Sequence, residues 1–484
     1  MQGDFSRTTF DPRKHYSAVL AQQGRVQLDA DFNEQGAVLL HQLRTMVADV
    51  LGPAVAPAAG GGFAIGAVDG RRPQEDLTIS AGRMYVDGIL VENDAEATYW
   101  TQPDLRLRIG HSADELPQNE PFVLYLRVWE RLITALQDPA IREVALGAPG
   151  PDTAARAKTV WQVAAVAVTA RTTEEALKEF PARLAAFRPT GRMRARARQP
   201  VAPADCQYHL PVDSRFRGPE NQLYRIEVHS GGPAWPTDPT GCPTPTGPTP
   251  TGPTPTGTAV AAHSGAARRG ATFKWSRENA SVVFPVVSLN GSTARVTTLG
   301  RDGKLGLEVG DRVELVDDTI AGRVADDRVL TGPPERAPRL RRVLAVDAVD
   351  LLVTLDDQDG DEDCGLGANP FLRRWDHRPA PGTTTAVPDD GALPLVEGGW
   401  LDLEDGVQVW FETAGETTPG TYRRGDHWLV PARTAVGDVL WPQRADGPAP
   451  VEPDGVRYHY APLAHVVGQG VDPSPRRTFP PLGG

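Results

Sequence analysis

The residues with the best claim to chemistry lie in five places, and each also has an ordinary structural reading. Asp357, Asp359 and Asp361 flank Gly360 in a run with six acidic residues among eight, loosely like a calcium loop. The glycine is misplaced for an EF-hand and no glutamate stands at the twelfth position, so a solvated acidic loop is the expectation. His459 and His465 are six apart, which suits one metal on neither helix nor strand. Asp152-Thr153 followed by Arg156 reads as a helix cap with a pairing arginine. Arg188, Arg192, Arg194, Arg196 and Arg198 form a basic cluster without interleaved aromatics, expected to be a solvated linker or a surface meeting an acidic neighbour. Trp275, Arg277 and Asn279 sit at a polar turn between apolar runs, where a sugar could meet an aromatic face and hydrogen-bonding groups. The alternative is a tight hairpin whose polar groups bond backbone carbonyls.

Signatures of the common reaction types are missing. There is no phosphate loop, dinucleotide fingerprint, His-Glu-x-x-His or nucleophile elbow. A glycosidase carboxylate pair is set by the fold and not by local spacing, and nothing selects two of the many carboxylates. The expectation is a protein that is not an enzyme, with no cofactor and no metal. A net charge of −12 argues against nucleic-acid binding. No run approaches the ~20 apolar residues of a membrane span, so direct membrane insertion is not expected. The first residues lack the apolar core of a secretory signal. Cys206, Cys242 and Cys364, odd in number and far apart, fit reduced thiols and synthesis in a cytoplasm.

The elements that would position these residues are mostly strands. With 484 residues, two to four domains are expected, and 49 glycines with 45 prolines favour many turns and short strands. The fold class read from the sequence is mainly β, multi-domain and sandwich- or barrel-like, with an N-terminal strand-helix segment and few short helices. Asp87-Gly88 marks a hairpin within residues 76–92. Alternating or apolar runs predict strands at Phe122–Glu130, Thr159–Val163, Leu223–Val228, Ala271–Ser276 and Gly406–Glu412. Short strands recur over 286–356 in a small barrel or sandwich pattern. Residues 173–187 read as an amphipathic helix interrupted by Pro181. Tyr422, Trp428, Trp410 and Trp441 read as core aromatics.

Residues 243–257 are three copies of Pro-Thr-Pro-Thr-Gly, unable to bury a core and read as an exposed insertion between two strands of one sheet. The expected partition is a docking segment over 1–53 and a β-rich domain over 54–200. A central β domain over 201–380 carries a disordered insertion at 231–262, and a C-terminal β domain with an extended tail covers 381–484.

The stretch from Gly3 to Gln35 organises the rest. Asp11-Pro12 marks a turn, and Gly24 opens a predicted strand over Arg25–Leu28. Asp29 or Asp31 can cap the following helix, with Glu34 placed as in a capping box. That helix carries Leu39, Leu40, Leu43, Met46, Val47 and Val50, and stops at Gly52-Pro53. A turn, a strand and a capped amphipathic helix suit attachment, or else the first element of a globular core.

The run QQGRVQLDADFNEQ (residues 22–35) resembles the opening of a bacterial family of unknown function encoded beside contractile, phage-tail-like injection systems. It is also similar to the start of phage tail-fibre and baseplate proteins. The resemblance continues in AGRMYVDGILVE (81–92), DPAIREVALG (138–147) with DTAARAKTVWQV (152–163), FKWSRENASVVFP (273–285), YRRGDHWLVPAR (422–433) and PDGVRYHYAPLA (453–464).

It implies a structural component at a baseplate or other terminal position, in three or six copies, with other baseplate or tail subunits as partners. Such a protein is cytoplasmic at synthesis and then part of a particle, retained or released. Interface candidates are Phe5, Phe10, Arg25, Val26, Leu28, Asp31, Asn33, Glu34, Leu39 and Leu43. Trp275, Arg277 and Asn279 are the candidates for facing a ligand. The alternatives are a carbohydrate-binding or carbohydrate-cleaving surface protein using Trp275 and Trp410, and a cargo protein of the particle.

Overall fold

The computed structural model describes residues 2–104, 114–147, 152–185, 188–198, 215–235, 270–300, 302–323, 339–356, 367–377, 391–415 and 418–480. The protein is mainly β and multi-domain, as its composition predicts, but its three β bodies are nested and not consecutive.

The outermost body joins both ends of the chain. Its main sheet runs Gly470–Asp472, His459–Val467, Phe122–Ile133, Arg156–Ala167. A second sheet runs Thr478–Phe479, Ala54–Pro57, Gly82–Val86, Ile89–Asn93, and three short strands complete the body. Phe63, Met84, Val91, Phe122, Leu124, Trp161 and Leu463 fill the shared core. The other face of Phe122–Ile133 packs Val123 and Tyr125 against Ala176 and Phe180 of the helix Thr173–Ala185. That helix contains Pro181 without a break. The expected extended tail instead supplies an edge strand, with Ala56 and Pro57 pairing in parallel with Thr478 and Phe479.

Inside this body is a sandwich. Its five-stranded sheet runs Leu393–Pro394, Thr272–Ser276, Gln222–Ser230, His427–Arg433, Asp438–Val439. A three-stranded sheet runs Trp400–Asp402, Val407–Glu412, Arg192–Ala197. Tyr224, Ile226, Phe273, Trp275, Phe411 and Trp428 lie in one core with residues of the second sheet. The basic cluster is therefore a strand and no linker. Met193, Ala195 and Ala197 point inward, while Arg194 pairs with Glu412 at 2.6 Å and Arg198 with Asp402 at 2.6 Å. Arg196 lies over the Trp400 ring at 3.9 Å.

The innermost body is a closed six-stranded barrel of Val283–Asn290, Thr293–Val296, Leu352–Leu355, Arg341–Asp347, Arg312–Val316 and Phe371–Trp375. Closure leaves no edge strand. The barrel pattern expected over 286–356 thus begins three residues earlier, at Val283, and gains a last strand, Phe371–Trp375, from outside that range. Within the range read as recurring short strands, Leu305 and Leu307 lie in irregular chain.

The run Thr272–Pro285 is not a hairpin. Thr272–Ser276 stays in the sandwich while Val283–Asn290 opens the barrel, and Asn279 and Ala280 take positive φ values of 47° and 55° to make the turn between them. The strands before and after the Pro-Thr-Gly repeats do pair, Val228 opposite Phe273. The expected insertion 231–262 begins too early, since Gly232 and Pro233 pair with Tyr422 and Thr421. The repeats, the acidic run 357–363 and all three cysteines lie outside the described residues.

Candidate docking surface and the buried junction behind it

Residues 2–10 form an arm bound to their own chain. Gly3 is buried, and a Cβ there would meet the side-chain ends of Leu132 and Phe5 at 2.8 Å, so a larger residue would have to displace them. Asn279 Nδ2 donates to the Gly3 carbonyl at 2.8 Å, and Gln2 Nε2 to Glu227 Oε2 at 3.0 Å. Further out, Ser6 donates its N–H and hydroxyl to Asp29 at 2.9 and 2.6 Å. Arg433 donates to the Ser6 carbonyl at 2.8 Å, and the Thr9 hydroxyl to Glu34 at 2.6 Å. Phe10 packs against His41, with centroids 5.7 Å apart. Phe5, Phe10 and Glu34 are therefore half-buried, Phe10 and Glu34 in contact with their own chain.

The arm ends in a buried charge network. Arg225 Nε donates to Glu227 at 2.5 Å, and Lys274 Nζ lies 3.4 Å from Glu227 and 2.7 Å from Glu314. Trp375 Nε1 donates to Glu314 at 3.0 Å, and Lys274 Nζ sits 4.2 Å above the Trp375 ring. Arg225, Glu227 and Lys274 belong to the sandwich, Glu314 and Trp375 to the barrel, and Gln2 to the arm. Burial opposes ionisation of Glu227, but Arg225 and Lys274 outweigh it and hold the carboxyl well below the usual range. The network therefore ties three parts of the chain together with ion pairs that water cannot replace.

From Tyr16 to Leu28 the chain is extended and largely solvent-exposed. The predicted strand over Arg25–Leu28 finds no ladder partner among the described residues. The backbone bonds here are a turn from Arg25 N–H to the Gln22 carbonyl at 3.2 Å and Val19 N–H to the Gln35 side chain at 2.6 Å. Val26 is 85% exposed, and Leu28 and Arg25 are also exposed.

The helix Asp29–Leu51 follows. Asp29 holds Ser6 and does not cap, while Asp31 accepts weakly from Leu28 N–H at 3.4 Å. Ala30 and Val38 are buried against the body, and Arg44 pairs with Glu130 at 2.7 Å. The opposite face carries Phe32, Leu39, Leu43, Met46 and Val50, each 51–72% exposed, with Asn33 beside them in solvent. The apolar stripe expected from the sequence is present, and it points away from the core.

Of the three ligand candidates, only Arg277 meets solvent. Trp275 is 4% exposed in the sandwich core, because its strand position alternates inward with Phe273. Asn279 is buried and bonds the Gly3 carbonyl, so neither faces a ligand. Arg277 donates to Glu404 at 2.8 Å and lies 3.8 Å from Asp376, and the Tyr224 hydroxyl donates to Glu404 at 3.1 Å. Glu404 had no local sequence signal, since the fold brings it 127 residues along the chain to Arg277. Burial pushes the Glu404 carboxyl up to about 7, despite Arg277.

A raised folded-state value means stability is present at low pH and lost as pH rises from about 4.5 through 7. Wild type is expected to lose on the order of 2–3 kcal/mol across that window relative to Glu404→Gln. Urea denaturation at stepped pH reads this, and parallel curves would refute it.

His459 bonds Asp87 at 2.8 Å and His465 lies 3.1 Å from the Thr173 hydroxyl, so the two do not converge. Among the described residues no group of three or more His, Cys, Asp or Glu side chains could hold a metal ion. No helix among them is long and apolar enough to cross a membrane.

These features define a multi-domain β protein with nested bodies, an N-terminal arm bound to its own chain and an amphipathic helix turned apolar side outward. The chain belongs to a family of unknown function, DUF6519, whose profile matches residues 1–196 and 175–474. No curated protein and no solved structure matches the chain.

Proposed function

We propose that this chain is a structural component of a contractile, phage-tail-like injection particle, held at a baseplate or other terminal position through its N-terminal segment. One observation carries the reading. Within residues 16–51 the side chains of Val26, Phe32, Leu39 and Leu43 are all exposed, although Asp29 holds Ser6 of the arm and Arg44 pairs with Glu130 of the body. An extended stretch without a ladder partner is suited to adding a strand to a neighbouring sheet, and an apolar helix face to lying in a groove. The resemblance of residues 22–35 to tail-fibre and baseplate openings supplies the kind of assembly. The partners are other baseplate or tail subunits, in three or six copies as closed symmetry favours.

The test is mass spectrometry and labelled electron microscopy of purified sheath-containing particles carrying a C-terminal tag on this chain. The expected result is a fixed position at one end, lost on Val26→Asp with Leu28→Asp while the variant stays folded. Absence of the wild type from intact particles overturns the reading, and release without harm to assembly makes the chain cargo.

The carbohydrate reading loses Trp275 to the core but keeps a surface. Trp400 and Trp410 pair at 5.6 Å on the outer face of the three-stranded sheet, beside Arg194, Arg196 and Gln408. A glycan array and a hydrolysis assay separate it, since a scaffold is inert in both.

A further inference from the structure

We infer that two copies of this chain pair through the helix Asp29–Leu51, antiparallel, about a two-fold axis level with His41. The pairing gives the helix face to a second copy and leaves the extended stretch Tyr16–Leu28 for other subunits, and it does not depend on the particle: it exists in solution or it does not.

The outward stripe has a regular spacing. Phe32, Gly36, Leu39, Leu43, Met46 and Val50 follow one another at four, three, four, three and four residues, and all six are exposed. That alternation is the seam of a coiled coil, narrower than the stripe of a helix packed on a globular core. The helix also has a separate inner face, with Ala30 and Val38 buried, so its own body does not need this seam.

The seam is self-complementary in one orientation. With two antiparallel copies centred on position 41, Phe32 meets Val50, Gly36 meets Met46 and Leu39 meets Leu43, and each layer recurs across the axis. Nothing lies within 4 Å of where a Gly36 Cβ would stand, so the helix leaves an open notch there. The flexible Met46 of the second copy is a suitable filler. A parallel pair would instead set Gly36 on Gly36 and Phe32 on Phe32, a hole one turn from a crowded layer. Antiparallel helices also oppose their dipoles favourably.

The flanks raise no objection. Antiparallel pairing sets Gln35 near Asp49, Gln42 near Gln42, Asn33 near Val47 and Leu40 near Leu40, with no like charges opposed. Leu40 is 47% exposed and gains cover at the axis. The exposed side chains of Phe32, Leu39, Leu40, Leu43, Met46 and Val50 amount to on the order of 600 Å² per copy, about 1,200 Å² for the pair, the lower end of specific interfaces. An interface at that end of the range suits a weak, reversible pair, whose affinity is set by the packing of the seam and not by its area.

The test is sedimentation of the full chain over a concentration range on the order of 1–100 μM. Wild type is expected to pass from monomer to dimer. Leu39→Asp with Leu43→Asp should stay monomeric. Gly36→Trp fills the notch from within and should weaken the dimer at least about tenfold, without loss of Tm because its side chain enters open solvent. Orientation is read by oxidative cross-linking with the new disulfide mapped by mass spectrometry. Phe32→Cys with Val50→Cys should join position 32 to position 50 of the other copy, and Phe32→Cys alone should not join to itself. A wild-type monomer throughout, a dimer unaffected by both seam variants, or efficient self-linkage at position 32 would each overturn the inference.

Discussion

Replacing Glu227 with alanine is expected to cost about 3–5 kcal/mol, because it removes a buried carboxylate that pairs with both Arg225 and Lys274. Arg225 Nε at 2.5 Å and Lys274 Nζ at 3.4 Å both rely on this carboxylate, and all three side chains are almost wholly buried. Arg225 and Lys274 cannot turn to water, so the loss is larger than for an exposed pair. Glu314 would still hold Lys274 at 2.7 Å, which keeps the figure within the range for one broken buried pair. Gln2 also loses its acceptor, so the arm should become sensitive to protease in the same variant.

The pH dependence has a definite sign. The folded state depresses the Glu227 carboxyl, so its contribution is intact above about pH 4.5 and is lost as pH falls. Urea unfolding of wild type and Glu227→Ala at neutral pH checks the magnitude, and a difference below about 1 kcal/mol would refute the account. The contrast with Glu404 is informative, since its contribution is lost in the opposite direction, as pH rises. Two glutamates at the margins of one sandwich thus pull the acid stability of the protein in opposite senses.

The second large effect is expected from Gly88→Val, which should detach the N-terminal helix from the body. Gly88 follows Asp87 in the hairpin turn, at φ +76°, and a side chain in that conformation costs about 1–2 kcal/mol. A Cβ there would also stand 2.0 Å from the Arg44 carbonyl oxygen, a backbone atom that cannot rotate away. The helix must lift or the turn must distort, and either breaks the contact between them. Hydrogen exchange should show loss of protection over residues 30–51. Arg44→Ala is the control: it removes only a half-exposed ion pair with Glu130, worth about 1 kcal/mol or less, and should leave the helix protected. Equal protection in wild type and Gly88→Val would show that the helix is not seated on this hairpin.

Both predictions concern contacts between segments far apart in sequence, and this is where local reading stops. The turn itself was legible: Asp87-Gly88 between alternating residues predicts a hairpin, and Met84 pairs with Val91 across it. That the Arg44 backbone would rest on the glycine has no local signal. Phe273 and Trp275 were readable as one strand face, but Asn279 was not readable as the group that holds the Gly3 carbonyl. The arginines from Arg192 to Arg198 looked like a solvated run because their partners, Glu412 and Asp402, lie more than two hundred residues away.

What this sequence determines alone is its class and its local elements. Strand alternation, the Asp-Gly turn, the abundance of glycine and proline and the helix ending at Gly52-Pro53 depend on neighbours within a few residues, where backbone sterics and side-chain periodicity act. The apolar stripe of the helix was equally plain. Tertiary structure decided which way it faces, because the body offers its contact to Ala30 and Val38 and leaves Phe32, Leu39, Leu43, Met46 and Val50 in solvent. It also decided that the bodies are nested, since the strand His459–Val467 pairs along most of its length with the distant strand Phe122–Ile133. Periodicity shows that a face is apolar. Only the assembled chain shows what remains to cover it.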